Sequence, residues 1–226
     1  PQAPPSWIGS AADTPAQERE TLARSHERQL AALADHVRGL GRGIAIVTAA
    51  DDNLTAPNIA IELARDLGRG GARVLFLDFD PVSSRAHAPH VDRRAPGLAD
   101  LLFGVATFSE VIHRDRESPI HLIPAGDGVR DAASLLASER LAIAFGALSQ
   151  TYDYVIVAVP ELVSLPRAER LARFSRAVVL VAPEDQTGAA ASASDALGAQ
   201  GFANIVVATV SREPEPPEAV PPRAAA

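Results

Sequence analysis

Short, unbroken runs of β-branched and aliphatic residues recur along this chain, separated by segments with helical periodicity, and this alternation restricts its fold more than any other feature. The runs cover residues 44–48, 74–78, 120–123, 154–159, 177–181 and 205–210. A strand with one wet face alternates apolar and polar residues; a run that is apolar throughout is covered on both faces. Helical patterns cover 57–68, 97–103, 107–113, 131–151, 164–174 and 187–200. Strands and helices in alternation predict an α/β fold, a mostly parallel central sheet with helices on both faces in three layers. Ligands of such sheets bind beyond the carboxyl ends of the strands. Functional residues are therefore sought just after Thr48, Asp78, Val157 and Val181.

The 226 residues suit one such domain with tails. Residues 1–13 are rich in Pro, Ala and Ser and read as a disordered linker in which Trp7-Ile8 is the single apolar bump. An N-terminal helical segment follows over 14–40, with Thr14 as N-cap, Pro15 in the first turn, Gln17 closing a capping box, and Leu22, Leu30, Leu33 and Val37 on one stripe. The main domain occupies 41–212, and a Pro/Glu/Ala-rich disordered tail occupies 213–226. Methionine is absent, even at position 1, so the chain reads as excised from a longer protein.

A net charge of −7 speaks against a nucleic-acid footprint. The absence of cysteine removes disulfides, thiol nucleophiles and Cys-based zinc sites. No window of roughly 18 apolar residues is present, so no transmembrane helix is expected.

Strand, short loop, helix is the architecture of a phosphate-binding loop, and the first strand is followed by Thr48-Ala49-Ala50-Asp51-Asp52-Asn53-Leu54-Thr55-Ala56-Pro57-Asn58. A working loop needs glycines for close backbone approach, a lysine for the β- and γ-phosphates, and a Ser/Thr hydroxyl for Mg²⁺. This loop has neither glycine nor lysine, and it carries the acids Asp51 and Asp52. The second strand ends in Leu77-Asp78-Phe79-Asp80-Pro81. Two carboxylates there suit Mg²⁺ or a water; equally, a strand-end Asp can cap the following turn. The strand at 154–159 has Ala158 where an Asp would complete a Walker B motif.

In order along the chain, Thr48-Ala49-Ala50, Ala60-Ile61-Glu62-Leu63-Ala64, Val74-Leu75-Phe76-Leu77-Asp78-Phe79-Asp80, Gly97-Leu98-Ala99-Asp100-Leu101-Leu102, Leu122-Ile123-Pro124-Ala125-Gly126, Leu135-Leu136-Ala137-Ser138-Glu139-Arg140 and Tyr152-Asp153-Tyr154-Val155-Ile156-Val157 form a series. That series resembles the kinase domain of bacterial exopolysaccharide and capsular tyrosine kinases, a branch of the MinD/ParA-type ATPases. The resemblance covers about three-quarters of the chain. It places the family's loop glycines on Asn53 and Thr55, its lysine on Ala56 and its Ser-Thr on Pro57-Asn58. Asp78 and Asp80 keep the second motif, with Arg85 and His87 downstream, and Ala158-Val159-Pro160-Glu161 replaces D-T-P-P. The family's C-terminal tyrosine cluster is missing; the two tyrosines are Tyr152 and Tyr154. Its E-x-x-R-x-x-R assembly motif is represented by Glu20, Arg24, Glu27 and Arg28 in another spacing.

The resemblance, read with these departures, implies a catalytically inactive module of a polysaccharide co-polymerase. Such a module acts through protein contacts in exopolysaccharide or capsule biosynthesis and export. Its partners would be inner-membrane co-polymerase or export proteins, or further copies of itself, and it would sit in the cytoplasm tethered to the inner membrane. No cofactor is expected, with ATP and Mg²⁺ binding lost, and Asp78 and Asp80 are then vestigial. The alternatives are a weak or unorthodox ATPase or protein-tyrosine kinase using Asp78 and Asp80, or a MinD/ParA-like positioning protein. His87, His90 and Asp92 read as loop residues rather than a metal site, and Arg93, Arg94, Glu184 and Asp185 as solvated charges.

Overall fold

The structure, a computed structural model, describes residues 16–50, 56–80, 91–92, 95–126 and 131–210, with side chains from Arg24 onward. In chain order the elements are α1 (Ala16–Gly39), β1 (Gly43–Ala49), α2 (Ala56–Arg69), β2 (Val74–Asp78), α3 (Leu98–Phe103), α4 (Phe108–Val111), β3 (His113–Arg114), β4 (His121–Ile123), α5 (Ala132–Ala137), α6 (Leu141–Thr151), β5 (Tyr154–Val159), α7 (Glu169–Ala172), β6 (Ser175–Pro183), α8 (Thr187–Ala199) and β7 (Ile205–Val210). The strands form one sheet in the order β3-β4-β2-β5-β1-β6-β7. Every neighbouring pair is parallel except β3 with β4. The expected three-layer, mostly parallel architecture is the one observed.

Side chains alternate across each strand, and the two faces feed two cores. Ala45, Val47 and Ala49 of β1 and Val74 and Phe76 of β2 pack under α1 and α2. Ile44, Ile46, Leu75, Leu77 and Phe79 face the opposite side, where α3, α5, α6, α7 and α8 supply Leu98, Leu135, Phe145, Leu171 and Leu197. Strands β1, β2 and β5 are apolar but for Thr48 and Asp78 near the ends of β1 and β2, because both faces are covered, and all three lie inside the sheet.

Three helical expectations change in the structure. The helix foreseen over 107–113 stops at Val111, and His113-Arg114 instead pairs antiparallel with β4 at the sheet edge. Two residues are too few to show a strand period. The helix foreseen over 131–151 is two helices. Asp131 caps the first by accepting the Ser134 N–H at 2.8 Å, and the chain is extended at Ser138. The carbonyls freed by the break are satisfied at long range: Arg170 donates to the Leu136 and Ser138 oxygens at 2.6 and 3.1 Å. The segment 164–174 is helical only at Glu169–Ala172. Pro166 disfavours helix at the residue before it, and Arg167 lies at φ +66°.

The α1 stripe does pack on the domain. Leu33, Ala34 and Val37 are buried in the α2-side core with Leu30 against its rim, while the Leu22 side chain lies outside the described set. Arg38 fixes the lower end of α1 by donating to Asp66 of α2 at 2.9 Å. The β3–β4 turn is held differently. The Asp115 carboxylate is fully buried and accepts from Arg65 at 2.9 and 3.1 Å and from the Ser118 hydroxyl at 2.7 Å. Burial by itself pushes this carboxyl up; the Arg65 and Ser118 bonds and the Arg65 charge outweigh it and hold the group below the usual carboxylate range.

Two stability measurements follow from these contacts. Leu33→Ala should cost about 2–4 kcal/mol in urea unfolding; an unchanged midpoint would make α1 a spacer. Arg65→Met should cost about 3 kcal/mol at neutral pH by leaving a buried carboxylate unpaired. The folded pKa of Asp115 is depressed, so its contribution is complete above the unfolded value of about 3.9 and is lost as pH falls through the folded value. The gap between wild type and variant should therefore narrow below pH ~4.

Candidate functional site

The carboxyl edge of the sheet brings together the ends of β1, β2, β5 and β6 beside the start of α2. Asp78 is the last residue of β2, fully buried, and stands in register with Ala158 of β5. Its Oδ1 accepts the backbone N–H of Asp80 at 2.9 Å, an Asx-type turn that ends the strand. Between them Phe79 donates its N–H to the Ala158 carbonyl at 2.9 Å and buries its ring edge-on against Phe145, centroids 6.1 Å apart. Phe79 belongs to the core opposite α2. By strand alternation Asp78 and half-buried Asp80 lie on the α2 side. Asp78 thus combines the capping role and the side of the sheet on which a phosphate-binding loop would lie.

Ala158 is fully buried on that same side, in one apolar cluster with Ala56 and Ala60 of α2. A methyl group occupies the position from which a second metal-side carboxylate would project. At the start of α2, Ala56 and Pro57 are buried and Asn58 is exposed. Pro57 lies in the first turn, where backbone N–H groups point out of the helix, and it removes one of those donors. Asp51, Asp52, Asn53 and Thr55 lie outside the described residues, as do Arg85, His87, His90, Arg93 and Arg94. Asp92 is exposed. Among the described residues no group of three or more His, Cys, Asp or Glu side chains is arranged to hold a metal. Among the described residues of this edge, the side chains suited to Mg²⁺·ATP are the β2-end carboxylates.

Two further polar contacts shape this edge. Thr48 is fully buried at the end of β1, and its Oγ1 accepts the Leu162 N–H at 2.9 Å, tying β1 to the turn after β5. That turn contains Glu161 at φ +27°, an unusual conformation for a residue with a side chain. The Ser164 hydroxyl donates to the Glu161 carboxylate at 2.9 Å. The Thr48–Leu162 bond joins residues that only the fold brings together, with a buried Thr after an apolar run as its one hint, whereas Ser164 and Glu161 are near neighbours in the chain. Glu184 and Asp185 are exposed after β6, and the Glu184 N–H donates to the Val210 carbonyl at 3.1 Å.

The two tyrosines are placed at the opposite edge. Tyr154 opens β5 and Tyr152 precedes it, one strand length, roughly 17 Å, from the carboxyl ends. Tyr152 is buried and its hydroxyl lies 2.8 Å from His121 Nδ1. Burial raises the Tyr152 pKa and lowers that of His121, which Arg114 lowers further, so both rings are held neutral. Asp153 between the tyrosines accepts from the Arg73 guanidinium and backbone N–H and pairs with Arg42 at 3.1 Å. Hydrogen bonds from Arg73 hold its pKa below the usual range. This cluster joins the starts of β2 and β5.

No protein-family model matches the chain. It is 27% identical over 150 residues to the protein named tyrosine-protein kinase EpsB of Ralstonia solanacearum, covering 66% of this chain and 20% of that protein. It is 25% identical over 134 residues to that named tyrosine-protein kinase CapB of Staphylococcus aureus, covering 59% of this chain and 57% of the other. The chain thus spans about a fifth of EpsB and somewhat over half of CapB. Its fold superposes on the crystal structure of the VpsO kinase domain with a TM-score of 0.73 at 17% identity, covering 87% of this chain and 100% of that one. In sequence the chain is a homologue of proteins named bacterial tyrosine kinases, and in fold it is a P-loop NTPase-like α/β domain of the kind their kinase domains adopt.

Proposed function

We propose that this chain is a catalytically silent relative of the exopolysaccharide and capsular tyrosine-kinase domains. It works through protein contacts in polysaccharide synthesis and export at the cytoplasmic face of the inner membrane. The carrying observation is Ala158. It lies in register with Asp78 and packs into the apolar cluster beneath α2, so the edge supplies one pair of carboxylates where two-sided metal coordination needs more. The loop composition points the same way, since Asn53, Thr55 and Ala56 stand at the glycine and lysine positions of the resemblance and Pro57-Asn58 at its Ser-Thr. Phosphoryl transfer rests almost wholly on positioning and charge stabilisation, which makes the loss of these groups severe. The lost lysine and hydroxyl contacts are worth roughly 1.5–3 kcal/mol each. The placement of Tyr152 and Tyr154 at the far edge supports a module that does not phosphorylate itself at its own tyrosines. The proposed partner is a polysaccharide co-polymerase or export component, in the same chain or beside it.

A second reading, a weak ATPase or tyrosine kinase, draws on Asp78 and Asp80, which lie on the side of the sheet that carries α2. Two experiments separate the readings. Calorimetry with ATP and Mg²⁺ should give no saturable heat into the low-millimolar range. A dissociation constant below about 100 μM, roughly −5.5 kcal/mol, would show a working nucleotide site. In the native host, deletion of this domain should alter the amount or length of the exported polysaccharide, and an Asp80→Asn variant should restore both. Failure of that variant, with the protein folded and present at normal levels, would favour the enzymatic reading.

A further inference from the structure

Strand β7 is an edge strand of the described sheet. Its sequence, IVVATV, carries no charge and no proline, and natural edges normally have one or the other. Its outer backbone edge faces no strand among the described residues. Grooves also flank it on both faces. On the α2 side a groove of about 360 Å³ runs along Val206, Ala208 and Val210, walled by Leu30 and Leu33 of α1 and Ile59 of α2. On the other side a second groove runs along Val207 and Thr209, walled by Ala190 and Ala191 of α8. Val207 is 42% exposed there. A strand added here would set an apolar side chain against each face.

We infer that residues 6–12, Ser-Trp-Ile-Gly-Ser-Ala-Ala, add to β7 as an eighth strand, parallel to it. Neighbouring residues of a strand point to opposite faces. Trp7 and Ile8 are adjacent, so the pair places one apolar side chain in each groove. The tail is the other segment adjoining β7. It has Pro214, Pro216, Pro217, Pro221 and Pro222, which remove the donors that an added strand needs. Residues 6–12 contain no proline.

Reach and handedness both agree with this assignment. α1 ends four residues before β1 begins, so it descends from the carboxyl edge to the amino edge of the sheet. A segment that rises along β7 and turns into α1 therefore runs parallel to β7. From Ala16 back to His26, which lines the groove, is roughly 15 Å of helix. The eight residues from Ile8 to Ala16 span at most about 28 Å extended, enough to return to the groove. The connection β1–α2–β2 steps toward the β3 edge with its helix on one face. The connections through α5 and α6, α7 and α8 step toward the β7 edge with their helices on the other face. That division is what a single, right hand of crossover produces. A strand beyond β7 leading through α1 into β1 steps toward the β3 edge, and this hand requires its helix on the α2 face. α1 lies on that face.

Trp7 is the single tryptophan, so its fluorescence in the full chain reports the docking directly. The expected emission is blue-shifted and shielded from acrylamide relative to the chain in urea, and unchanged on dilution. In an edge strand every second N–H faces the neighbour. Gly9→Pro and Ser10→Pro should therefore differ, one losing the shielding and the other keeping most of it. Both lie outside α1 and the sheet described above and leave the fold of the domain intact. Water-like emission from Trp7 would overturn the proposal. So would shielding that disappears on dilution, which would assign the segment to a neighbouring copy. Equal responses to the two proline variants would overturn strand pairing.

Discussion

β5 lies between β2 and β1, bonded on both edges and covered on both faces, and the placement of everything else in the domain depends on it. Five of its six residues are buried. Its register with β2 sets Ala158 beside Asp78, and its register with β1 sets Val159 beside Thr48. Because the side-chain period of a strand is two, a slip of β5 by one residue would send Ala158 and Val159 to the opposite cores. The amino ends are fastened by Asp153, which Arg73 and Arg42 hold ionised, and the carboxyl ends by the Thr48–Leu162 hydrogen bond. The strand is therefore fixed at both ends by polar contacts and along its length by apolar burial.

The candidate site inherits its character from that packing. At the carboxyl edge the sheet presents Asp78 in a turn with Asp80, and a methyl at Ala158. The groups that would cooperate in phosphoryl transfer are charged and need one another. Replacing Ala158 with a carboxylate would set an acid into the cluster of Ala56 and Ala60 beneath α2, where an unpaired charge is costly. The apolar cluster and the missing carboxylate are thus one feature. The two tyrosines lie at the far edge, where Tyr152 serves the packing of His121 and β4 instead of the carboxyl-edge surface.

The two edges of the sheet are finished differently. At one, β3 is a two-residue antiparallel cap whose turn is locked by Arg65 and Asp115. At the other, β7 presents six β-branched or small residues with apolar grooves on both faces. Open hydrogen-bonding edges attract further strands, so whatever covers β7 also sets how this domain associates.

The α/β class, the six longer strands and the central position of β1, β2 and β5 were legible in the sequence, because strands packed between helical layers leave short apolar runs bounded by turn residues, and edge β7 keeps such a run while mostly half-buried. The stripe of α1 was legible from its helical spacing, and Asp78, Asp80 and Ala158 from their place at the ends of apolar runs. The helix breaks were not. Ser138 leaves the helix because Arg170, more than thirty residues on, supplies donors to the freed carbonyls, and no local pattern encodes that partner. The same holds for Asp115, whose burial is tolerable only against Arg65 fifty residues away, and for Thr48, whose hydroxyl meets a backbone N–H 114 residues along the chain. Hydrophobic periodicity is a local property and survives in one dimension. Satisfaction of buried polar groups is a non-local property, and only the tertiary structure decides it.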